Sequence, residues 1–428
     1  MGRAMLIMVI LLSTVFAGIA LRMQTKMLEL PDVLRDDQLK RETENVSDYA
    51  LRYAISYAIP NIKDWVSKEY QSVTVTFNGT NTVNGNLITL PLFPVGNAMI
   101  NRIVFNHIGG TFTGNNKEIR FQAMTDVSGN LQSKNIVYPA ELAFNYFKVD
   151  TPDCFYYEMN QAQLEGQADM NDTSTNEPPN NAFPFNGLHT FPTPGDGVAG
   201  WKCGFWHDDF DDAAYAPNAA NGSMVVDTTF TLFCFAKPDR DLNNPLRRAA
   251  LVWLPSTPPQ TNPDAAPTAA IWYNGATGMM HFSVGLAVGA PNNWLEVLFP
   301  FKDKLVANST GTSGQGYRDY PWEFFALTFD HGALKAYYNG IPVSAIYNNP
   351  VTSTNQYASE SIYGVSVGSR ITRLNGESGN GFLNSTFDWC FNGVLDQVGM
   401  FSRALSEDEI WDFYTFTQMP TKVDYIRD

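Results

Sequence analysis

Residues 4–21 read AMLIMVILLSTVFAGIAL, a run without a single charge, bracketed by Arg3 and Arg22. As a helix rising 1.5 Å per residue it reaches about 27 Å, the lower end of what crosses a bilayer core. A cleaved secretory signal would have a shorter apolar run, about 7–15 residues, followed by a small-residue cleavage site. No clean A-x-A site follows here. A single-span anchor fits the run, and so does a third reading that depends on the residues after it.

The helical pattern continues past Arg22. Leu39, Thr43, Val46, Ala50, Tyr53, Ala54, Tyr57 and Ala58 recur at spacings of three and four, the stripe of one helix face. Lys40, Arg41, Glu42, Glu44, Asp48 and Arg52 fill the opposite face. Pro31 has no N–H to donate, which predicts a kink or a brief break. Pro60 predicts the end of this segment, with Asn61 capping a short helix that carries Ile62, Trp65 and Val66.

An apolar half-helix running into an amphipathic half-helix resembles a type IV pilin-like subunit. Gly2-Arg3-Ala4-Met5-Leu6-Ile7-Met8 is similar to the processing region of such subunits, most of all the minor, accessory or pseudopilin group. The resemblance implies cleavage after Gly2. It also implies a membrane and assembly helix that includes Ala4, Met5, Leu6, Ile7, Val9, Leu12, Val15, Phe16 and Leu21. Such a helix faces lipid in the cytoplasmic membrane first, then packs on its own copies in a helical filament outside the cell. Ile7 departs from the pattern, since many pilins carry Glu there.

The remainder is polar and turn-rich. A chain of 428 residues exceeds one ordinary core. Its formal charge of −15 opposes nucleic-acid binding, which needs a basic face, and leaves room for a bound cation. Over 71–153, alternating runs at 72–77, 87–93, 99–107, 118–124 and 135–138 predict a small antiparallel sheet, with Asn78-Gly79 and Asn84-Gly85 as turns. Residues 159–222 are rich in Asn, Pro, Gly and Asp. From 225 onward strands recur at 229–236, 249–254, 269–273, 279–288, 294–299, 324–329, 333–338 and 364–368, the pattern of a two-sheet sandwich.

Three ordered motifs in this part resemble the laminin-G-like, concanavalin A-like jelly-roll family. Phe230-Thr-Leu-Phe-Cys-Phe-Ala-Lys-Pro238 is similar to its opening strand. Trp322-Glu-Phe-Phe-Ala-Leu-Thr-Phe-Asp330 with Leu334-Lys-Ala-Tyr-Tyr-Asn-Gly340 is similar to its central hairpin. The segment Phe391 to Ser406 is similar to its last strand, with a closing helix expected over 407–414. The expected fold is therefore mainly β with a long N-terminal helix. Residues 1–70 form that helix, 71–153 a pilin-like sheet, 154–420 a jelly-roll and 421–428 a tail.

Chemistry is sparse. Retaining glycosidases on this fold align carboxylates in an E-x-D-x-x-E run, and the chain has none, so no catalytic residue is expected. His107, His189, His207, His281 and His331 are scattered without zinc-ligand spacing. Calcium favours hard oxygen ligands, and the jelly-roll resemblance implies Asp208 and Asp209 in the acidic 208–212 segment as one place for it. The jelly-roll resemblance adds Asp396, whose other reading is a carboxylate that bonds nearby backbone. Cys154, Cys203, Cys234 and Cys390 allow one or two disulfides or buried thiols. Trp201, Trp206, Trp253, Trp272 and Trp294 can serve as core or as sugar-stacking faces. The expected function is a structural subunit of a pilus-like filament whose jelly-roll adheres to glycan or protein. Its alternatives are a membrane-anchored or tip-located adhesin and, last, a glycan hydrolase.

Overall fold

The computed structural model describes residues 2–76, 81–83, 86–88, 94–95, 98–112, 118–131, 134–137, 140–159, 170–175, 179, 181–185, 189–190, 198, 204–206, 213–217, 228–256, 267–286, 294–306, 320–344, 346–348, 363–373 and 386–425. The chain divides into two units, Met1–Lys148 with Thr421–Asp428, and Val149–Pro420.

The first unit is built on one helix, Gly2–Ser67. It runs through both prolines, against the expected break at Pro31 and stop at Pro60. A proline removes one N–H and crowds the preceding turn, but helix on both sides can hold it in place. At Pro60 the reason is visible. Asn61, expected as a cap, donates Nδ2–H to the Tyr57 carbonyl at 2.7 Å, so its side chain satisfies a carbonyl of the disturbed turn. Buried Ala58 before the proline and Ile62 and Trp65 after it fix the helix on the sheet.

From Leu39 onward one helix face is covered. Ala50, Ala54 and Ala58, one turn apart and fully buried, let the backbone approach the sheet closely. The strand order is Ser72–Thr76, Ala98–Gly109, Glu118–Leu131, Ala140–Phe147, Thr421–Tyr425, each pair antiparallel. Trp65 anchors the interface, its ring 4.8 Å from Phe105 and 5.8 Å from Phe121. Two elements differ from expectation. Ala140–Phe147 is a strand that the sequence reading passed over. Thr421–Tyr425 is a strand rather than a tail, paired from Thr421 opposite Tyr146 to Tyr425 opposite Leu142, with Val423 packed against the core.

The second unit is an antiparallel sandwich. One sheet runs in the order Phe183–Phe185, Ala213–Pro217, Gly364–Val367, Arg248–Pro255, Pro267–Asn274, Met279–Gly285, Trp294–Pro300, Ile346–Asn348. The other runs His189–Thr190, Gly204–Trp206, Gly393–Phe401, Thr229–Pro238, Glu323–Asp330, Ala333–Tyr338, Ile341–Pro342, and Phe155–Tyr157 also pairs with Gly393–Phe401. The 159–222 region thus contributes short strands to both sheets. Phe230, Leu232 and Cys234 meet Leu251, Ile271 and Phe282 in the core between the layers.

The alternate side chains of the central strand are buried as well. Phe233 and Phe235 face Phe324, Leu405, Ile410 and Phe413. The last two belong to the closing helix, Glu407–Gln418. Ser406 and Glu409 form its capping box, each side chain bonding the other's backbone N–H. Burial alone would raise the Glu409 pKa. The Ser406 backbone N–H and the Arg403 guanidinium outweigh it and hold the carboxyl below its ordinary value. The capped, ionised form is therefore stabilising above the unfolded glutamate pKa and is lost as pH falls through the lower folded value.

Two hairpin turns fix the register of the central strands. His331 (φ 47) and Gly332 (φ 93) link Asp330 to Ala333, and Asn339 (φ 50) and Gly340 (φ 76) link Tyr338 to Ile341. Left-handed conformation at both central residues suits a tight two-residue hairpin. A Cβ on Gly340 would sit 2.9 Å from Trp411 and Tyr414, so glycine also lets the closing helix approach.

Ala54→Leu would force a larger side chain between helix and sheet. We expect the Trp65-monitored unfolding of the detergent-solubilised chain to lose about 1–3 kcal/mol; an unchanged midpoint would contradict the close approach.

Candidate functional site

The outer face of the sheet containing Pro267–Asn274 carries a cluster that a register shift creates. Between Ala250 and Val252 the strand Arg248–Pro255 holds one residue more than its partner. Leu251 and Val252 both enter the sandwich core, whereas Ala250 and Trp253, three apart, lie on the outer face. Without that β-bulge a strict alternation would send Trp253 inward. Trp253 pairs with Ser366 on one side and Ala270 on the other, and the same rung continues to Ser283 and Glu296. The next rung pairs Ala250, Trp272 and His281.

Ring contacts knit these residues together. His281 stacks on Trp272 with centroids 3.8 Å apart. Trp389 lies 4.9 Å from Trp272 and meets Trp253 edge-on at 5.3 Å, and Trp294 stacks beside Trp272 at 6.3 Å. Trp253 and Trp272 are each 3% exposed. Trp294 and Trp389 are half-buried. Trp389 holds φ at 52°, rare for a bulky residue, while its carbonyl accepts the Ala250 N–H at 2.7 Å.

Beneath the rings lies a polar chain. Trp272 Nε1–H donates to Ser283 Oγ at 2.9 Å, and Ser283 Oγ–H donates to Glu296 Oε1 at 2.7 Å. His281 Nδ1 is 3.2 Å from the same oxygen. In the tautomer that gives Nδ1–H to that carboxylate, Nε2 is an acceptor. Nε2 is buried and has no partner among the described residues. Ser283 gives its proton to Glu296 rather than to His281, so the trio lacks the serine–histidine contact of an activated nucleophile.

Two arginines flank Trp389. Arg370 lies 4.2 Å from its ring centroid and forms a two-pronged pair with Asp388, Nε to Oδ1 at 2.6 Å and Nη2 to Oδ2. Arg248 lies 4.9 Å from the Trp389 centroid and 6.0 Å from that of Trp272. It is exposed, and among the described residues it has no carboxylate partner.

The expected site residues fall elsewhere. Asp396 is fully buried on Gly393–Phe401, Oδ2 accepting from Val198 N and Oδ1 from Gln397 N, both at 2.8 Å. Asp208 and Asp209 lie outside the described residues, and no cluster of three His, Cys, Asp or Glu side chains suited to a metal occurs among the described ones. Cys154 and Cys234 are buried free thiols, and Cys203 lies outside the described residues. Burial, then the Asp153 and Asp172 charges, push the Cys154 thiol up to about 12; burial alone raises Cys234.

On the long helix Ile7, Val9, Leu12, Val15, Phe16 and Leu21 are all exposed, Phe16 at 62%. Gly2, Ala4, Met5 and Leu6 are helical, and their side chains lie outside the description. This helix is long and apolar enough to cross a membrane. The sequence reading named Trp253, Trp272 and Trp294 without grouping them, and passed over Trp389, Arg248, Arg370 and Glu296. One signal was present. His281 and Ser283 alternate with Met280, Phe282 and Val284, marking a polar strand face.

No protein-family model matches the sequence, and no curated protein matches it. Among solved structures, the receptor binding domain of botulinum neurotoxin mosaic serotype C/D aligns at 13% identity and TM-score 0.37, covering 63% of this chain and 51% of that one. The binding domain of Paraclostridial Mosquitocidal Protein 1 aligns at 12% identity and TM-score 0.37, covering 57% and 49%. Domain 4 of AbnA, a GH43 extracellular arabinanase from Geobacillus stearothermophilus solved with arabinotriose, aligns at 14% identity and TM-score 0.35, covering 62% and 99%. The chain spans about half the length of the two toxin domains. Scores this low carry no argument about function, and the sandwich here rests on the chain's own strand pairing.

Two outcomes test this chemistry. Asp396→Asn replaces an acceptor-only group by one that also carries donors, facing two backbone N–H groups, and should cost about 2 kcal/mol in chemical unfolding; a neutral effect would contradict the geometry. At pH 8 the native chain should leave Cys154 and Cys234 unalkylated by iodoacetamide, with labelling appearing on unfolding; mass mapping that finds either labelled in the folded state would contradict their burial.

Proposed function

We propose that the chain is a non-catalytic subunit of a type IV pilus-like filament. It assembles through its N-terminal helix and carries a sandwich domain that binds ligands at the cell surface. The observation that carries this reading is the division of one helix. Leu39 to Val66 spend their apolar face on the chain's own sheet, whereas Ile7 to Leu34 have theirs uncovered. A surface of that size needs lipid or protein around it. An assembly helix uses both in turn, lipid before assembly and neighbouring copies after it, with processing after Gly2 at the transition.

The sandwich supports the binding part through its outward tryptophan cluster, a set of flat apolar faces beside unspent hydrogen-bonding groups. The second reading is a single-span adhesin that stays in the membrane, favoured by the same uncovered run at Ile7–Leu21.

Stoichiometry separates the two. Sheared extracellular filaments should contain this chain as the main repeating subunit, and its N-terminal sequence should begin at Arg3. Recovery only from membranes, with an unprocessed N-terminus, would exclude the filament reading and leave the anchored one. Phe16→Glu places a charge in the middle of the apolar run, where it costs about 3 kcal/mol on insertion scales. Membrane recovery should then fall several-fold by quantitative immunoblotting; wild-type levels would exclude both readings.

A further inference from the structure

The two arginines beside Trp389 form an internal comparison. Each guanidinium lies over that ring, and each also reaches a second tryptophan, Trp253 for Arg370 and Trp272 for Arg248. Stacking orients a guanidinium and leaves its edge N–H groups free for a planar acceptor. The Arg370 fork is filled by the Asp388 carboxylate. The Arg248 fork meets no carboxylate among the described residues, and Arg248 is exposed where Arg370 is buried.

A second group in the same cluster is also unspent. His281 is 7% exposed and stacks on the Trp272 ring that Arg248 reaches. Its Nε2 has no hydrogen-bond partner among the described residues. A buried ring nitrogen without a partner costs free energy that a ligand hydroxyl would recover. The half-buried Trp294 supplies a flat face at the same place.

From these groups we infer that the outer tryptophan cluster is a binding site for a carboxylated sugar unit of an acidic polysaccharide. The ligand carboxylate takes the Arg248 fork as Asp388 takes that of Arg370. The ring packs on Trp294, and a hydroxyl donates to His281 Nε2. An acidic peptide would satisfy Arg248 but would leave the Trp294 face and the ring-nitrogen acceptor unused. The chain's charge of −15 does not forbid this, because repulsion from charges farther than about 8 Å is screened at physiological salt. The inference rests on the reading of the sandwich as a binding domain.

The test is titration of the full chain in detergent with galacturonate, glucuronate and sialate oligosaccharides, each beside its carboxyl-reduced neutral form and an acidic peptide, followed by tryptophan fluorescence. At least one acidic oligosaccharide should bind, and its reduced form should bind about tenfold more weakly or worse, the equivalent of losing one charge-assisted pair. Arg248→Gln should lose the same factor, and Arg248→Lys, which keeps the charge without the fork, should fall between. Arg248 is exposed, so circular dichroism of these variants should match the parent. Trp294→Ala should weaken the acidic and the reduced forms alike. Equal binding of acidic and reduced forms, binding untouched by Arg248→Gln, or preference for the acidic peptide would overturn the inference. Binding of a neutral glycan that ignores Arg248 would overturn it while leaving the broader binding reading intact.

Discussion

One helix must satisfy two environments, and most of the structure follows from how it divides them. Its second half is made compatible with a sheet by small residues. Ala50, Ala54 and Ala58 bring the backbone close enough for Trp65 to fill the space among Phe105 and Phe121. Its first half has no such partner, and Ile7 to Leu34 keep their apolar surface. At 100° per residue, Leu21 and Leu28 fall within about 20° of Leu39, so the uncovered surface includes the continuation of the sheet-facing stripe.

The sandwich solves a different problem. Its central strand Thr229–Pro238 is buried on both faces, by the opposing sheet on one side and the closing helix on the other. The second sheet leaves its outer face to a small aromatic cluster, and one extra residue at Leu251–Val252 puts Trp253 there. A bulge re-aims a side chain at the expense of one ladder position. Here the re-aimed residue is a tryptophan beside charged and hydrogen-bonding groups, which is why this face reads as a site rather than as spare core.

Much of the fold was legible because local chemistry and tertiary structure agree. His331-Gly332 and Asn339-Gly340 carry turn chemistry that fixes the central hairpins, and Ser406 with Glu409 announces the closing helix. The failures have physical causes. Pro60 breaks an isolated helix, but buried neighbours and the Asn61 side chain hold this one together. Thr421–Tyr425 is too short to signal a strand without the Ala140–Phe147 edge that it joins. The site was least legible. A bulge reverses the inward–outward alternation on which a reading of Trp253 depends. The pairing of Arg370 with Asp388, and of His281 with Glu296, crosses strands in ways spacing does not encode. Asp396 offered two readings in the sequence, a calcium ligand or a carboxylate bonding nearby backbone, and its two oxygens accept from backbone N–H groups.

The central claim is that the apolar surface of residues 7–34 ends up covered by further copies of the same chain. A photo-crosslinking residue placed at Phe16 tests it in living cells, where membrane and extracellular fractions can be separated after irradiation. The account predicts lipid adducts in the membrane fraction and a ladder of chain-to-chain adducts extending past the dimer in the extracellular fraction. Lipid adducts alone, with no chain-to-chain product in either fraction, would contradict it.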